Sequence, residues 1–469
     1  MKSEYKNFYL NVLYQILTFI FPLITIPYVS RVLGVENIGI YSYTNSVMYM
    51  FVLFGMLGIN NYGNREIAKV RDNKNKLSEK FSEIYSLQFI ANLISITSYL
   101  LYINIFETEF IQIAYLQLIY LTSILFDVNW FYFGLEKFKL TITRNLIIKI
   151  ISIVLIFSFV SEKNDLWIYV VTLGVSTLSS QLYLFFKLPK FVNLKKVSLP
   201  DILKHSKPVF LLFIPVISYG IYRVMDKIMI GTIAGIYELG YYENAEKLIN
   251  IPIAINTALG TVMLPRMSYL LANKNDKVKN VLCDSMKLAM LLSCIMSVGL
   301  FFISNEVTIL LFGTEFEHSG FIVKLLSITI IISAWANVIR SLLIIPLRKD
   351  SIYVYSTAGG AILNVIFNLF FITLWGAAGA CIGTIVAETY VMIYQTIKSK
   401  DFIDISNYLK SFARFFFESL CIVGFAWFLS LFIENVFTKI CSIILFSIIA
   451  LCCLERKYIV GELLGFNSK

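Results

Sequence analysis

Charge is in short supply in this 469-residue chain. Only 15% of its residues are Asp, Glu, Lys or Arg, against about 25% in an ordinary soluble domain. That is too few to coat a water-soluble fold of this length, which excludes a secreted protein, a nucleic-acid-binding module and a single-anchor enzyme. Histidine is almost missing. His205 and His318 are the two present, and both fall outside the apolar runs, which argues against an intramembrane acyltransferase or metalloenzyme. The motifs of several enzyme classes are missing too. No GxxxxGK followed by Ser or Thr occurs, so the chain brings no Walker-type ATPase of its own. HExxH and GxSxG are also missing, so no residues for enzyme chemistry are visible and the chain reads as a non-enzyme. Cysteine is confined to the second half, at 283, 294, 381, 421, 441, 452 and 453, without CxxC spacing. These read as small packing residues rather than disulfide or metal ligands, with Cys452 and Cys453 a weak palmitoylation candidate. No long outer loop separates the apolar runs, which disfavours a membrane glycan polymerase with an external catalytic segment.

What the chain has in excess is apolar side chains, 58% of residues at a mean hydropathy of +0.75. At about 20 residues per span, they predict an all-α polytopic membrane protein with about fourteen transmembrane helices. The runs lie near 8–29, 38–60, 84–105, 110–133, 145–160 and 167–186, then 209–232, 242–265, 287–303, 321–345, 352–374 and 377–397, and finally 412–433 and 440–454. The first is long enough to span and lacks a small-residue cleavage site, so it is not read as a cleaved signal. Basic residues orient the spans. Alternate loops hold clusters such as Arg65, Lys69, Arg71, Lys74, Lys76 and Lys80, whereas the intervening turns hold only Arg31, Lys163 and Lys439. By the positive-inside rule both termini and the long loops are cytoplasmic. The same loops account for most of the formal net charge of +10, which therefore implies a bilayer rather than nucleic acid as its partner.

An internal repeat divides the spans. Gly34-Val-Glu-Asn-Ile38-Gly39-Ile-Tyr41 matches Gly235-Ile-Tyr-Glu-Leu239-Gly240-Tyr-Tyr242 at one offset, and the same offset places Arg65 on Arg266. Two parallel six-helix repeats are implied: an N-terminal half over 1–187, a basic cytoplasmic linker over 188–208, and a C-terminal half over 209–397. An extra helix pair over 412–454 falls outside the repeat and reads as a lipid-facing addition. Parallel repeats of this kind suit alternating access, one half rocking against the other.

Polar residues inside the spans carry the functional signal, because a helix facing only lipid has no use for a polar stripe. In the first span Asn11, Gln15, Thr18, Pro22 and Thr25 share one face; in the seventh, Tyr219, Arg223 and Asp226 do, flanked by Lys227. Further stripes hold Glu243, Glu246, Asn250 and Thr257; Thr357, Gly360, Asn364 and Asn368; Asn337 and Arg340; Thr384, Glu388 and Gln395; and Gln117, Tyr120 and Asp127. The neutral ones are equally well read as interhelical packing glue. A charge near the bilayer centre costs roughly 2.5–3.5 kcal/mol or more, so the charged ones weigh more. Arg223 and Asp226 could neutralise each other, Lys227, Lys247 and Lys324 could snorkel, and Glu388 has no such escape. Pro22, Pro27, Pro215 and Pro252 would break the helix ladder where a cavity or neighbour satisfies the freed carbonyls.

Several segments resemble landmarks of a known family. Ile26-Pro-Tyr-Val-Ser-Arg31-Val-Leu-Gly34, Gly39-Ile-Tyr-Ser-Tyr-Thr-Asn-Ser46, Gly58-Ile-Asn-Asn-Tyr-Gly-Asn-Arg65-Glu and Asp127-Val-Asn-Trp130-Phe-Tyr-Phe-Gly134-Leu-Glu136-Lys-Phe-Lys139 are similar to segments of Wzx-type polysaccharide flippases. So are Tyr222-Arg-Val-Met-Asp226-Lys227-Ile-Met-Ile-Gly231 and Leu310-Leu-Phe-Gly-Thr-Glu315. The resemblance covers about residues 5–400 and points to the multidrug/oligosaccharidyl-lipid/polysaccharide exporter superfamily. It implies translocation of undecaprenyl-diphosphate-linked oligosaccharide repeat units to the outer leaflet of a bacterial plasma membrane, for O-antigen, capsule or exopolysaccharide synthesis. Polysaccharide polymerase and chain-length proteins are the partners it implies. On this reading Arg31, Arg223, Lys227 and Arg340, with Asn11, Gln15 and Asn364, are candidate substrate-binding residues. Asp127, Asp226 and Glu388 are candidates for coupling to a proton or sodium gradient, and no cofactor or metal is expected. The alternatives are a drug or cation antiporter of the same superfamily, which would favour an acidic cavity, and a membrane glycan polymerase.

Overall fold

The structure is a computed structural model. It describes residues 2–107, 109–273, 277–433 and 435–454, with side chains described from Phe21 onward except at 215, 218, 219, 222, 223, 448 and 451–454. Fifteen α-helices make up these residues: α1 Lys2–Met56, α2 Ile59–Val70, α3 Lys74–Phe106, α4 Ile111–Ser123, α5 Asn129–Gly134, α6 Phe138–Phe159, α7 Leu166–Phe185, α8 Leu199–Leu203, α9 Ser206–Ile233, α10 Ile236–Ala272, α11 Val278–Phe312, α12 Glu317–Ile339, α13 Asp350–Lys398, α14 Ile405–Ser430 and α15 Val436–Leu454. Among the described residues ten segments are long and apolar enough to cross a membrane. The chain forms two compact units that divide after Gly231, within α9.

α3 is built inside out relative to a helix of a soluble bundle. On α3, Gln88, Asn92, Ser95 and Tyr99 recur at helical spacing and are buried, while Ile90, Ile94, Leu101 and Ile105 are exposed. Lipid is the medium that rewards such a face, since polar groups must find partners inside the protein.

Two of the ten segments are pairs of helical limbs. α1 is interrupted at Gly34 (φ 77°, ψ 176°) and α13 at Trp375 and Gly376 (φ 55° at the glycine). Pro22 and Pro27, expected to break the helix, lie inside the first limb of α1, and the interruption falls at the glycine. The glycine at the repeat position, Gly235, has nearly the same backbone (φ 95°, ψ 170°) and starts α10. The repeated octamer is thus a helix-start device. Its first glycine takes a conformation that a side chain resists, its apolar residue (Ile38, Leu239) is buried, and its second glycine is buried as well.

In unit 1 the segment after α7 is held along α3. The backbone N–H groups of Asn193 and Lys195 donate to Ser78 Oγ (3.1 Å) and Ser82 Oγ (2.9 Å). At its end sits a buried ionic network. Glu83, 2% exposed, accepts from Lys80 (2.9 Å), Lys204 (2.6 Å) and His205 Nε2 (2.8 Å), and Tyr62 Oη lies 2.6 Å from His205 Nδ1. With Nε2–H donating to Glu83, Nδ1 accepts from Tyr62. α9 then packs tightly on the second limb of α1. Gly58 leaves room for the Val209 carbonyl and Leu212, Gly220 leaves room for Leu53, and Phe54 meets Phe213 at 5.6 Å.

In unit 2, α11, α12 and α14 share one core that includes Met286, Met290, Trp335, Val338, Tyr408 and Phe415. α15 packs on α11 and α14 in a second cluster, Ile440 and Ile443 against Val298 and Val423, and Lys439 pairs with Glu306 at 2.7 Å. The final helix pair is therefore a packed part of the unit, where hydropathy alone gave only its lipid-facing character.

Candidate functional site

The apolar run at 110–133, expected as one continuous helix, is broken. α4 ends at Ser123, a 3-10 turn covers Ile124–Phe126, and α5 starts at Asn129. A broken helix frees carbonyls that lipid cannot satisfy. Here α3 does so: Gln88 Nε2 donates to the carbonyls of Ile124 (3.1 Å) and Asp127 (2.8 Å), and Asn92 Nδ2 to that of Ile124 (3.0 Å). Trp130 Nε1 closes the set on Gln88 Oε1 at 2.8 Å. Trp130, Phe131 and Tyr132 are fully buried and lock the segment in place. The break thereby turns Asp127 and Asn129 toward a cavity.

That cavity, of about 600 Å³, lies among α2, the broken segment, α6 and α7. Asn60, Asn61 and Asn64 come from α2; Arg144, Asn145, Lys149 and Ser152 from α6; Ser176, Thr177, Ser180 and Gln181 from α7. Six of its polar groups, Asp127, Asn129, Arg144, Asn145, Ser180 and Gln181, form one connected network. Asp127 Oδ1 accepts from the Asn129 backbone (3.0 Å) and from Asn129 Nδ2 (2.7 Å), and that same amide nitrogen donates to Gln181 Oε1 at 3.1 Å. Arg144, 5% exposed, donates to the Ser180 carbonyl (2.8 Å), Asn129 Oδ1 (3.0 Å) and Asn145 Oδ1 (2.7 Å). The carboxylate and the guanidinium are thus joined through Asn129 rather than by a direct ion pair. Ser152 and Ser176 share a hydrogen bond across α6 and α7, and Lys149 lies over the Phe21 ring at 5.6 Å. A smaller cavity of about 350 Å³ adjoins the first. It shares Asn60, Asn61, Asp127, Thr177 and Gln181 and adds Tyr49, Tyr120 and Ser123.

Of the residues expected from sequence, the structure brings Asp127 into this site, and Tyr120 of the same stripe lines the adjoining cavity. Asp226 and Lys227 lie on α9, the first buried and the second half-buried, and Arg31 is exposed beside Gly34; none of the three lines either cavity. In unit 2, Arg340 opens a π-helical turn and donates to Asn337 Oδ1 at 2.9 Å, while Asn337 Nδ2 donates to the Asn256 carbonyl at 2.9 Å. Asn364 and Asn368 are fully buried on α13 and joined at 3.3 Å, and Glu388 is half-buried on the same helix. Gln395 bonds Ser356 at 2.9 Å, as packing glue would. Asn11, Gln15 and Arg223 lie outside the residues whose side chains are described. Among the described residues no group of three or more His, Cys, Asp or Glu is arranged to hold a metal.

Most of the cavity was missed in the sequence, though a signal was there. Arg144, Asn145, Ile148, Lys149 and Ser152 fall on one face of α6, and Leu173, Ser176, Thr177, Ser180 and Gln181 on one face of α7. Counting Arg144 as an inner-loop charge hid the first stripe.

Unit 2 holds a cavity of opposite character, about 860 Å³ and apolar, among α11, α12, α13 and α14. Its walls include Phe301, Phe302, Ile331, Trp335, Met392 and Phe412.

Comparison with known proteins gives three findings. The profile of a family described as "Polysaccharide biosynthesis protein" matches residues 5–271. A curated protein of Shigella dysenteriae described as "Putative O-antigen transporter" is 24% identical over 407 residues, covering 83% of this chain and 98% of that protein; one of Escherichia coli (strain K12) with the same description is 23% identical over 380 residues, 80% of this chain and 91% of that protein. Among solved structures, "Lipid II flippase MurJ, inward closed conformation" aligns over 96% of this chain and 100% of its own, with a TM-score of 0.76 at 18% identity, a likeness of fold.

Proposed function

Because the chain belongs to the polysaccharide biosynthesis protein family, we propose that it is a flippase. It moves undecaprenyl-diphosphate-linked oligosaccharide repeat units from the cytoplasmic to the outer leaflet by alternating access, for O-antigen, capsule or exopolysaccharide synthesis. The observation that carries this reading is the connected polar cavity of unit 1, set among helices whose outer faces suit lipid. Such a cargo has three parts with different needs. Its sugars need hydrogen-bonding groups away from lipid, which the unit 1 cavity supplies. Its polyprenyl chain needs an apolar groove, for which the unit 2 cavity has the walls. Its diphosphate needs cations, and Arg31, Arg223, Lys227 and Arg340 are the candidates, with Asn11, Gln15 and Asn364 as further candidate substrate-binding residues. An inside-negative potential favours outward movement of an anion by roughly 2.3 kcal/mol per charge per 100 mV. Asp127, Asp226 and Glu388 are the candidates for coupling to protons or sodium.

In this reading the chain crosses a bacterial plasma membrane fourteen times with both termini in the cytoplasm. The ten long apolar segments support it: two are limb pairs, and α9 and α15 complete the count. Residues 1–187 and 209–397 are the two repeats, 188–208 the linker and 412–454 the added pair. Polysaccharide polymerase and chain-length proteins are the proposed partners downstream. Deleting the gene and assaying which leaflet holds the lipid-linked glycan tests the function. Accumulation on the cytoplasmic side is expected, and normal outer-leaflet accumulation would overturn the reading.

A further inference from the structure

We infer that the unit 1 cavity is a saccharide subsite: it seats a neutral sugar ring of the lipid-linked glycan and sets which glycans are carried, while the diphosphate is held elsewhere. This rests on the flippase reading and divides the cargo's head group between sites.

The wall chemistry points to a sugar rather than a phosphate. Carboxamides face the cavity from α2 (Asn64), the broken segment (Asn129), α6 (Asn145) and α7 (Gln181), interleaved with the hydroxyls of Ser176 and Thr177. Each amide offers donors and an acceptor, and each hydroxyl offers both. A pyranose ring carries the same mixture, so adjacent ring hydroxyls can each give and take a hydrogen bond. A phosphate oxygen only accepts, so it would leave the acceptor ends of these amides unused.

The cations of the cavity do not reverse this. The Arg144 guanidinium is already engaged with the Ser180 carbonyl, Asn129 Oδ1 and Asn145 Oδ1. It is a positioning residue: by drawing those oxygens to itself it fixes which end of each amide points where. Lys149 sits over the Phe21 ring, where its charge meets an aromatic face.

Two further features suit a sugar. Phe133, 38% exposed and stacked on Phe138 at 5.9 Å, puts an aromatic face in the wall, against which the C–H face of a ring can lie. Three of the amides are tied together, Asn129 to Gln181 directly and Asn129 to Asn145 through Arg144, so little ordering of them remains to be done on binding. The volume of about 600 Å³ falls inside the range of roughly 300–1,000 Å³ usual for small-molecule sites.

The test uses the full chain in nanodiscs and measures binding of undecaprenyl diphosphate against undecaprenyl diphosphate bearing N-acetylglucosamine, N-acetylgalactosamine, glucose or galactose. The protein should bind at least one sugar-bearing lipid about tenfold or more tighter than the bare lipid, because a site built for hydrogen bonds penalises their loss. Asn145→Ala and Gln181→Ala should each cut that ratio by about tenfold. Asn64→Ala, which removes no bond to Arg144, should also lower it and serves if the first two fail to fold. No sugar preference in the parent protein, or variants that weaken bare and sugar-bearing lipids by the same factor, would overturn the subsite. Failure to bind any of the lipids, the bare one included, would instead count against the flippase reading itself.

Discussion

Arg144 holds the polar site together through four oxygens at once, three of them on amides that face the cavity. A lysine keeps the charge but lacks the planar fork that reaches several acceptors. Arg144→Lys should therefore lower the unfolding temperature and cut glycolipid transport by at least about tenfold, measured by thermal unfolding and by proteoliposome assay; full transport would separate this residue from the site. The other residue-scale prediction concerns His205, outside the membrane-spanning helices. Burial, with Lys80 and Lys204 nearby, pushes its imidazole below the ordinary value despite the opposing pull of Glu83. The folded state then binds the proton less readily than the unfolded one. The stabilising contribution of the neutral ring is present above about pH 6.5 and is lost as pH falls from there through the depressed value. Asp201, 3.2 Å from Lys204, completes the charged groups around it. Unfolding temperatures between pH 8 and 5 should fall on the acid side, and less steeply in His205→Gln; identical slopes would contradict the assignment. Neither residue was legible in the sequence as what it is. Arg144 read as an orienting charge and His205 as a loop residue, because their partners on α7 and α3 arrive only through the tertiary fold.

Elements were more legible, since hydropathy and the glycine pattern follow local rules. The repeated octamer gave Gly34 and Gly235 as equivalent positions, and both adopt positive φ with nearly the same ψ. A Cβ on Gly235 meets nothing within 4 Å, so a substitution there tests backbone conformation alone. Gly235→Ala should cost about 1–3 kcal/mol, read as a lowered unfolding temperature, with Gly34→Ala behaving alike; a neutral effect would mean the corner relaxes. What local pattern could not give is the break in the fourth apolar run, where Gln88 and Asn92 supply from another helix the bonds that make it tolerable. Nor could it give the close seat of α9 on the second limb of α1. A side chain on Gly220 would collide with Leu53. In a cysteine-free background carrying Phe54→Cys and Phe213→Cys, Gly220→Val should reduce the yield of a short thiol crosslinker, and an unchanged yield would show that the contact adapts.

For the whole molecule, composition and charge distribution foretold an all-helical protein embedded in a membrane, and the family match and fold comparison agree. The chemical division was not foretold: unit 1 holds a cavity lined by amides and hydroxyls, unit 2 one lined by aromatic and aliphatic side chains. Each cavity taken by itself has a chemistry that suits one part of the proposed cargo, amides and hydroxyls for a sugar and apolar walls for a hydrocarbon chain. The most direct measurement is therefore translocation by the purified protein in proteoliposomes, with undecaprenyl-diphosphate-linked sugar in both leaflets and an enzyme outside that modifies only outward-facing sugar. The account predicts that the protected inner pool becomes modified in vesicles containing the protein, and that Arg144→Lys slows this by at least about tenfold. An inner pool that stays protected as in protein-free vesicles, under an imposed potential and ion gradients alike, would contradict it.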